Sequence, residues 1–500
     1  MKNYYVLSIL LILFTIHSSA QNWEWVKNID LGVVERGVSI GVDKIGNAYV
    51  AGYANQAYSG GVPATYSSIF YKFDSAGNQF WFKEIWVWES VTDYIGNTYL
   101  IRGNGEIGKY DKDGTELWVK RVPNAIFEKI SLVPNGGVVV SGRNFQNNGS
   151  QFECSTLTGD NRFFRARFDD NGTCLWAIES DTFAACSITV GKNNKIYASG
   201  SGISDNEGNK TWIEIYELDN GSLFKEIKTN SVYYPKNICI DSFNNIIVSD
   251  QLSSNQPLNI NGTFYNGEGI YLVKYSTEGN LMFVKIIKGR KLYSPKIGTD
   301  TLNNIYLSGE YEELFFDQIS LESPQRELFV LKMGRDGNAI WIKSSNNTGE
   351  RGSIFPNNMV VSSKGDVFIT GSISGKYSFD TVTLDATNNS PYPDMFIGKI
   401  SGGYDEPTTI NVYEEQGNLL YIYPNPTRDH LIIDYQAEYT SSINLQIRNL
   451  AGVVIYEAPV QNPSGTFQKE IDIGKHAPGL YFVELITDKD RLVQKIVVKR

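Results

Sequence analysis

Short stretches of alternating apolar and polar residues, separated by Gly/Asn turns, run through most of the chain. The stretch from Val42 to Lys83 is the clearest case. It reads Val42-Asp43-Lys44-Ile45-Gly46-Asn47-Ala48-Tyr49-Val50-Ala51-Gly52, then a variable loop, then Phe70-Tyr71-Lys72-Phe73-Asp74-Ser75-Ala76-Gly77-Asn78-Gln79-Phe80-Trp81-Phe82-Lys83. Period-two alternation predicts strands, and Gly/Asn pairs between strands predict tight hairpins. The stretch is therefore four short antiparallel strands, the size of one propeller blade.

The pattern recurs seven times. Its first hairpin returns around Gly96-Asn97, at Leu132 to Gly142, Val190 to Gly200, Ile240 to Asp250, Gly298 to Gly309 and Val361 to Gly371. Its second hairpin ends each time in an aromatic strand: Trp81, Trp118, Trp176, Phe224, Phe283 and Trp341. The final copy, Met395 to Ile400, lacks that strand, and Trp25 near the start of the chain supplies a matching one. Open sheet edges are unfavourable. The expectation is a seven-bladed β-propeller closed by residues 23–28 pairing with the strand at Met395 to Ile400. Ala51, Ser141, Ser199 and Ser308 are small and are expected where blades crowd near the axis. The Asp of Phe73-Asp74, Tyr110-Asp111 and Phe168-Asp169 is expected to open an Asx turn.

Composition agrees with an all-β chain: aromatic residues make up 13% of the 500 residues, and long helical patterns are absent. The net charge of −10, with no basic cluster outside the extreme termini, argues against nucleic-acid binding. The three histidines are His17, His430 and His476, so the stretch from Gln21 to Pro407 has none, which removes histidine triads, Cys-His dyads and histidine-based zinc sites from it. Lys2, the apolar run Val6 to Ile16, and Ser18-Ser19-Ala20 before Gln21 read as a signal peptide over residues 1–20, cleaved between Ala20 and Gln21. No later stretch approaches membrane-spanning length.

The blade pattern fills residues 21–403. Gly402-Gly403-Tyr404-Asp405-Glu406-Pro407 breaks it, and 404–418 reads as a linker. Short alternating strands over 419–500 then predict a small β-sandwich.

Two resemblances follow from these residues. The units Asp43 to Gly52 and Tyr71 to Asn78 resemble the seven-bladed propeller repeat of exported bacterial proteins, over about Trp23 to Ser401. That motif speaks for fold and is nearly silent on activity. The C-terminal module resembles the type A sorting domain of the type IX (Por) secretion system of Bacteroidota. The matching residues are Tyr423-Pro424-Asn425-Pro426, Gly452 in Asn449-Leu450-Ala451-Gly452, and Gly479 and Tyr481 in Pro478-Gly479-Leu480-Tyr481, with Lys495 and Lys499 in the terminal strand. The resemblance implies export by the type IX machinery, removal of the module, and release or attachment at the cell surface.

Loops between the second and third strands are long and share a face with the links between blades, so any ligand site is expected there. Glu310, Glu312, Glu313 and Asp317 are the candidates for a glycan-cleaving carboxylate pair. Tyr53, Trp86, Trp88, Tyr311 and Tyr392 are candidates for stacking on sugars or peptides, and Arg143 for an anionic group. The sequences at Asp111, Asp169 and Asp219 lack the ordered oxygen ligands of a calcium loop and read as hairpin turns, so no metal or cofactor is expected. Of the four cysteines, Cys154 and Cys186 are expected on the long-loop face and are the first choice for a disulfide, with Cys174 and Cys239 as thiols.

These features favour an exported binding protein for an extracellular glycan, peptide or surface protein. A carboxylate-based glycan hydrolase or lyase, and a structural component of a surface or gliding assembly, are the alternatives.

Overall fold

The computed structural model describes residues 21–31, 34–55, 66–145, 149–158, 163–180, 185–200, 210–229, 235–255, 257–349, 352–386, 393–402, 413–415, 418–423, 427, 430–436, 443–460, 466–487 and 491–499. The signal segment, including Ala20, lies outside them. The chain divides into two compact units, Gln21–Gly402 and one that includes Gly403–Arg500. Among the described residues the regular structure is almost all strand, with a 3₁₀ turn at Gly103–Gly105.

In the larger unit, four-strand antiparallel runs succeed one another along the chain. The first covers residues 34–84, the second 89–121, the third 125–180, the fourth 185–229, the fifth 237–288 and the sixth 293–344. The fifth and sixth touch edge to edge where Lys288 pairs with Phe315. The last run, residues 353–400, is completed by Trp23–Ile29, which pairs antiparallel with Asp394–Ile400 in the register Val26 to Gly398 and Ile29 to Met395. The innermost strands of successive runs lie beside one another, and Ser353–Val361 of the last lies beside Val34–Val42 of the first.

Both faces of each run are covered, so the strands carry apolar side chains on both sides. Tyr49, Val50 and Ala51 are all buried, as are Tyr306 and Leu307 in the sixth run. The third-strand lysines are buried too, because each finds an oxygen acceptor: Lys72 donates to the Lys112 carbonyl at 2.7 Å, and the others reach carboxylates. Lys274 reaches Asp241 at 2.9 Å, Lys332 reaches Asp300 at 3.7 Å, and Lys399 reaches Glu24 at 2.7 Å. The recurring Asp does open its turn: Asp74 Oδ1 accepts from Ala76 N and Asn78 N, and Asp169 Oδ1 accepts from Asn171 N and Thr173 N.

The glycine that recurs in most second strands has a steric cause. In the third run the innermost strand bulges between Phe127 and Lys129, opposite Gly142. In the last it bulges between Pro356 and Asn358, opposite Gly371. The bulge presses a carbonyl toward the glycine. A Cβ at Gly142 would lie 2.1 Å from the Ile126 oxygen, and one at Gly371 would lie 1.9 Å from that of Phe355. The second and fifth runs place Arg102 and Asp250 here, and their innermost strands, Glu89–Thr92 and Asn237–Ile240, are short and unbulged. The bulge and the glycine therefore occur together. Ser141, Ser199 and Ser308, one residue earlier, are buried at the same level.

Two expectations are corrected. Phe224 is not the aromatic of its outer strand. Ile215 pairs with Lys225 and Tyr216 with Leu223, so Phe224 is the bulged residue and is exposed. The disulfide joins Cys154 to Cys174, not to Cys186. The loop after Val138–Asn144 doubles back along its own sheet, and Phe152 packs 5.2 Å from Phe164 and 6.2 Å from Phe168, ring centre to centre. Apolar burial of Phe152 thus draws Cys154 away from its rim to the start of Cys174–Ser180.

The smaller unit has two four-stranded antiparallel sheets. One contains His430–Gln436 between Asn418–Tyr423 and Thr466–Asp472; the other contains Ile443–Asn449 and Gly479–Thr487. Leu431, Ile433, Leu445, Ile447, Val483 and Leu485 join in one core, which makes it a β-sandwich. The expected linker contains a further strand, Tyr413–Glu415, paired with Asn418–Leu420.

Candidate functional site

Between the outer strand of the first run and the second run lies an open groove of about 510 Å³, lined by Lys83, Glu84, Trp86, Arg102, Glu106 and Glu116, among others. Its size is that of a small-molecule cleft. Trp86 and Trp88 leave the first run on the link to the second. Val87 between them is buried, and the two indoles are 51% and 61% exposed. The Trp88 amide donates to the Ile101 carbonyl at 2.8 Å, which anchors the link. A Cβ at Gly103 would lie 3.3 Å from the Trp86 ring, so the indole rests against bare backbone there.

Arg102 organises the polar wall. It is ion-paired with Glu106 at 3.7 Å and Glu116 at 3.4 Å, and its guanidinium stands 5.4 Å from the centre of the Tyr110 ring. The Tyr110 hydroxyl donates to Glu116 Oε2 at 2.6 Å. A half-exposed indole facing charged hydrogen-bonding groups is the arrangement that receives a ring with an apolar face and a polar rim.

The other residues singled out from sequence are dispersed. Glu310 is buried beside Arg326 at 3.4 Å, and burial pushes its carboxyl above the usual range against the opposing pull of Ser294 and Arg326. Glu312 is paired with Arg290 at 2.5 Å and Lys291 at 2.6 Å, and Glu313 with Arg290 at 2.8 Å. Asp317 turns the hairpin between Ile305–Phe316 and Ile319–Met333 with φ at +51° and accepts from the Ala339 amide at 2.8 Å. Each carboxylate is thus held by structural partners, and the four meet at no common point. Tyr311 is buried, Tyr53 half-buried, and Arg143 is paired with Glu128 at 3.0 Å. Tyr392 lies outside the described residues. Trp86 is therefore the sequence candidate that reaches the groove. Arg102, Glu106 and Glu116 were missed, although Arg102 standing where other runs have glycine was the available signal.

Among the described residues, Asp30, Glu35 and Asp394 bring carboxylate oxygens within 4.8 Å of one another. Asn28 donates to Asp394 at 2.9 Å, and the Leu31 amide donates to Glu35 at 2.8 Å. Burial, with the Asp30 charge, keeps the Asp394 carboxyl above its usual range. These oxygens are the residues suited to a hard cation. Sequence reading named no such group, because it spans the first and last parts of the larger unit.

In the smaller unit, Tyr423 opens the motif whose Pro424, Asn425 and Pro426 lie outside the described residues. Gly452 closes its turn with φ at +78°, its amide N–H donating to the Asn449 carbonyl at 2.9 Å. Gly479 starts its strand, and Tyr481 is buried with its hydroxyl donating to the Ala477 carbonyl at 2.7 Å. Lys495 and Lys499 are exposed on and just after Arg491–Val498.

Residues 421–499 match the family model of the secretion system C-terminal sorting domain. Such a tail implies the type IX machinery as the export partner and indicates a secreted or cell-surface-attached protein. No curated protein matches the chain. Among similar solved structures is one titled "Structure of Dos1 propeller", at 8% identity and a TM-score of 0.43, over 77% of this chain and 95% of that one. No helix among the described residues is long and apolar enough to cross a membrane.

Proposed function

We propose that this is an extracellular glycan-binding protein, and that the groove at Trp86 receives a sugar ring. In this reading residues 1–20 are removed before Gln21, and Gln21–Gly402 is a seven-bladed propeller closed by its N-terminal strand. The sorting unit is then cleaved as the protein is delivered to the surface. The observation that carries the binding site is the half-exposed Trp86 indole forming one wall of a groove whose other wall is the Arg102, Glu106 and Glu116 network. An indole covers the apolar C–H face of a pyranose, while carboxylate and guanidinium groups meet its hydroxyls. Closure is supported by the pairing of Trp23–Ile29 with Asp394–Ile400 and by the side-by-side order of the innermost strands.

The test is a glycan array followed by calorimetry with the full chain from Gln21. Saturable binding without turnover, weakened at least about tenfold by Trp86→Ala, is expected, since loss of one stacking anchor costs about 1.4 kcal/mol or more. Binding that survives Trp86→Ala unchanged overturns the site. Turnover of the bound glycan overturns the binding-only reading in favour of a hydrolase or lyase.

A further inference from the structure

The innermost strands carry polar residues at one common level. Glu89 pairs with Ile101, Lys129 with Ser141 and Lys296 with Ser308, each partner standing one position before the residue that is Arg102, Gly142 or Gly309. Lys236 and Asp250 of the fifth run stand beside this level, at 3.7 Å from each other. Glu89 and Lys129 are paired at 3.2 Å. Lys296 belongs to the sixth run, yet its ammonium feels Glu89 and Lys129 of the second and third as well as Asp250 and Lys236 of the fifth. The innermost strands lie side by side in chain order and the last lies beside the first, so groups at one level on the second, third, fifth and sixth runs interact by facing the space those strands surround.

The charges do not balance. Three lysines meet Glu89 and Asp250, and Glu310, which also feels Lys296, is itself paired with Arg326 at 3.4 Å, so one positive charge is left over in a chain whose net charge is −10. Lys129 and Lys236 each have a carboxylate. Lys296 has no hydrogen-bond or ion-pair partner among the described residues, and enclosure by the surrounding strands, together with the Lys129 charge, pushes its ammonium below the usual lysine range. The cluster is nonetheless open to water. The side chains of Lys129 and Lys236 are 34% and 62% exposed, and Lys236 stands just before Asn237–Ile240, on the side of the links between runs. A partly enclosed cation with no carboxylate in direct contact is stabilised by an anion that enters from solvent.

We propose that this mouth of the axial channel is a binding site for a small oxyanion, a carboxylate, sulfate or phosphate group, held by Lys296 with Lys129 and Lys236 behind it. The site is separate from the groove at Trp86 and takes a charged group rather than a sugar face. Its position fits either a free anion or an acidic substituent on a larger ligand resting on the same face.

The test is calorimetric titration of the full chain from Gln21 with inorganic phosphate, sodium sulfate and sodium glucuronate in separate arms. Saturable one-site binding of at least one of them is expected. The arms that bind distinguish a free inorganic anion from a carboxylated sugar. Lys296→Met is expected to lose at least about tenfold in affinity, equivalent to about 1.4 kcal/mol, and Lys296→Arg to keep it. Glu89→Gln, which releases Lys129, is expected to bind tighter. Trp86→Ala is expected to leave anion binding unchanged, so failure of the groove and failure of this site are read separately. Because Lys296→Met removes an unpaired charge, its melting temperature without added anion should equal or exceed the parent's, which verifies folding. No saturable binding in any arm, or equal affinity in the parent and Lys296→Met, overturns the proposal.

Discussion

The indole of Trp25 lies against the turn at Gly77: its Nε1 donates to the Ser75 carbonyl at 3.1 Å, and a Cβ on Gly77 would lie 2.6 Å from the ring. Trp118 repeats this with the Asp170 carbonyl at 3.0 Å and Gly172, and Trp176 with the Leu218 carbonyl at 2.9 Å and Gly221. In each case the outer strand of one run is fastened to the second hairpin of the next. At Trp25 the strand is the N-terminal one, seated on the last run, and the turn belongs to the first.

Trp25 is therefore expected to hold the first and last runs together. Trp25→Ala should destabilise the larger unit by about 3–5 kcal/mol through loss of a buried indole. Trp25→Phe, which keeps most of the ring and loses the Ser75 bond, should cost about 1 kcal/mol more than its packing change alone. Denaturant unfolding followed by circular dichroism measures both. Equal stability of Trp25→Ala and the parent contradicts this role.

The bulge-facing glycines make a second expectation. At Gly142 and Gly371 the obstacle is backbone, 2.1 and 1.9 Å from the position of a new Cβ, and backbone cannot turn aside as a side chain can. Gly142→Ala and Gly371→Ala should each lower stability by about 1–3 kcal/mol or more. Melting temperatures unchanged from the parent would show that the inner strand can shed its bulge freely.

Peptide mapping without reductant should recover Cys154 linked to Cys174, which are 20 residues apart in sequence. Opening that bridge with Cys154→Ser should cost about 2–4 kcal/mol through the freed unfolded chain. Recovery of Cys154 linked to Cys186 instead would refute the path of the loop carrying Phe152.

Glu327 gives a pH dependence with a definite sign. Burial pushes its carboxyl above 4.5, opposed by hydrogen bonds from Ser345 at 2.6 Å and the Asn347 amide at 2.7 Å. The folded state then keeps a proton at pH values where the unfolded chain has lost it. The contribution of this group is fully present below the unfolded value of 4.5 and declines as pH rises through the folded value. Glu327→Gln should flatten the fall in stability over that interval and be at least as stable as the parent at neutral pH. Thermal melts of both proteins across the interval decide it, and parallel curves would reject the assignment.

How much of this was legible in the sequence differs from element to element. The hairpins were, because Asp74 and Asn78 make their turn from residues four apart. The partner of the N-terminal strand was also legible, since the final repeat lacked an outer strand and Trp25 matched the missing one. The groove was legible in part. Trp86 stood out as an aromatic on a link, but Arg102 and Glu116 are 14 residues apart and on different strands, and meet through pairing. Glu310, Glu312 and Glu313 looked like a reactive cluster because they are adjacent in sequence. On a strand, neighbours point to opposite sides; Glu310 pairs with Arg326, while Glu312 and Glu313 are both tied to Arg290.

By itself the amino-acid order determined the period, the turns, the repeated unit and the sorting tail. All of these depend on contacts between residues close in sequence or on a contiguous motif. Only the tertiary structure decided which cysteines join, why Gly142 is best served by glycine, and that Lys296 comes within reach of charges from runs distant in the chain. Those outcomes depend on where sheets far apart in the chain are brought together, and on the space and counter-charges left between them.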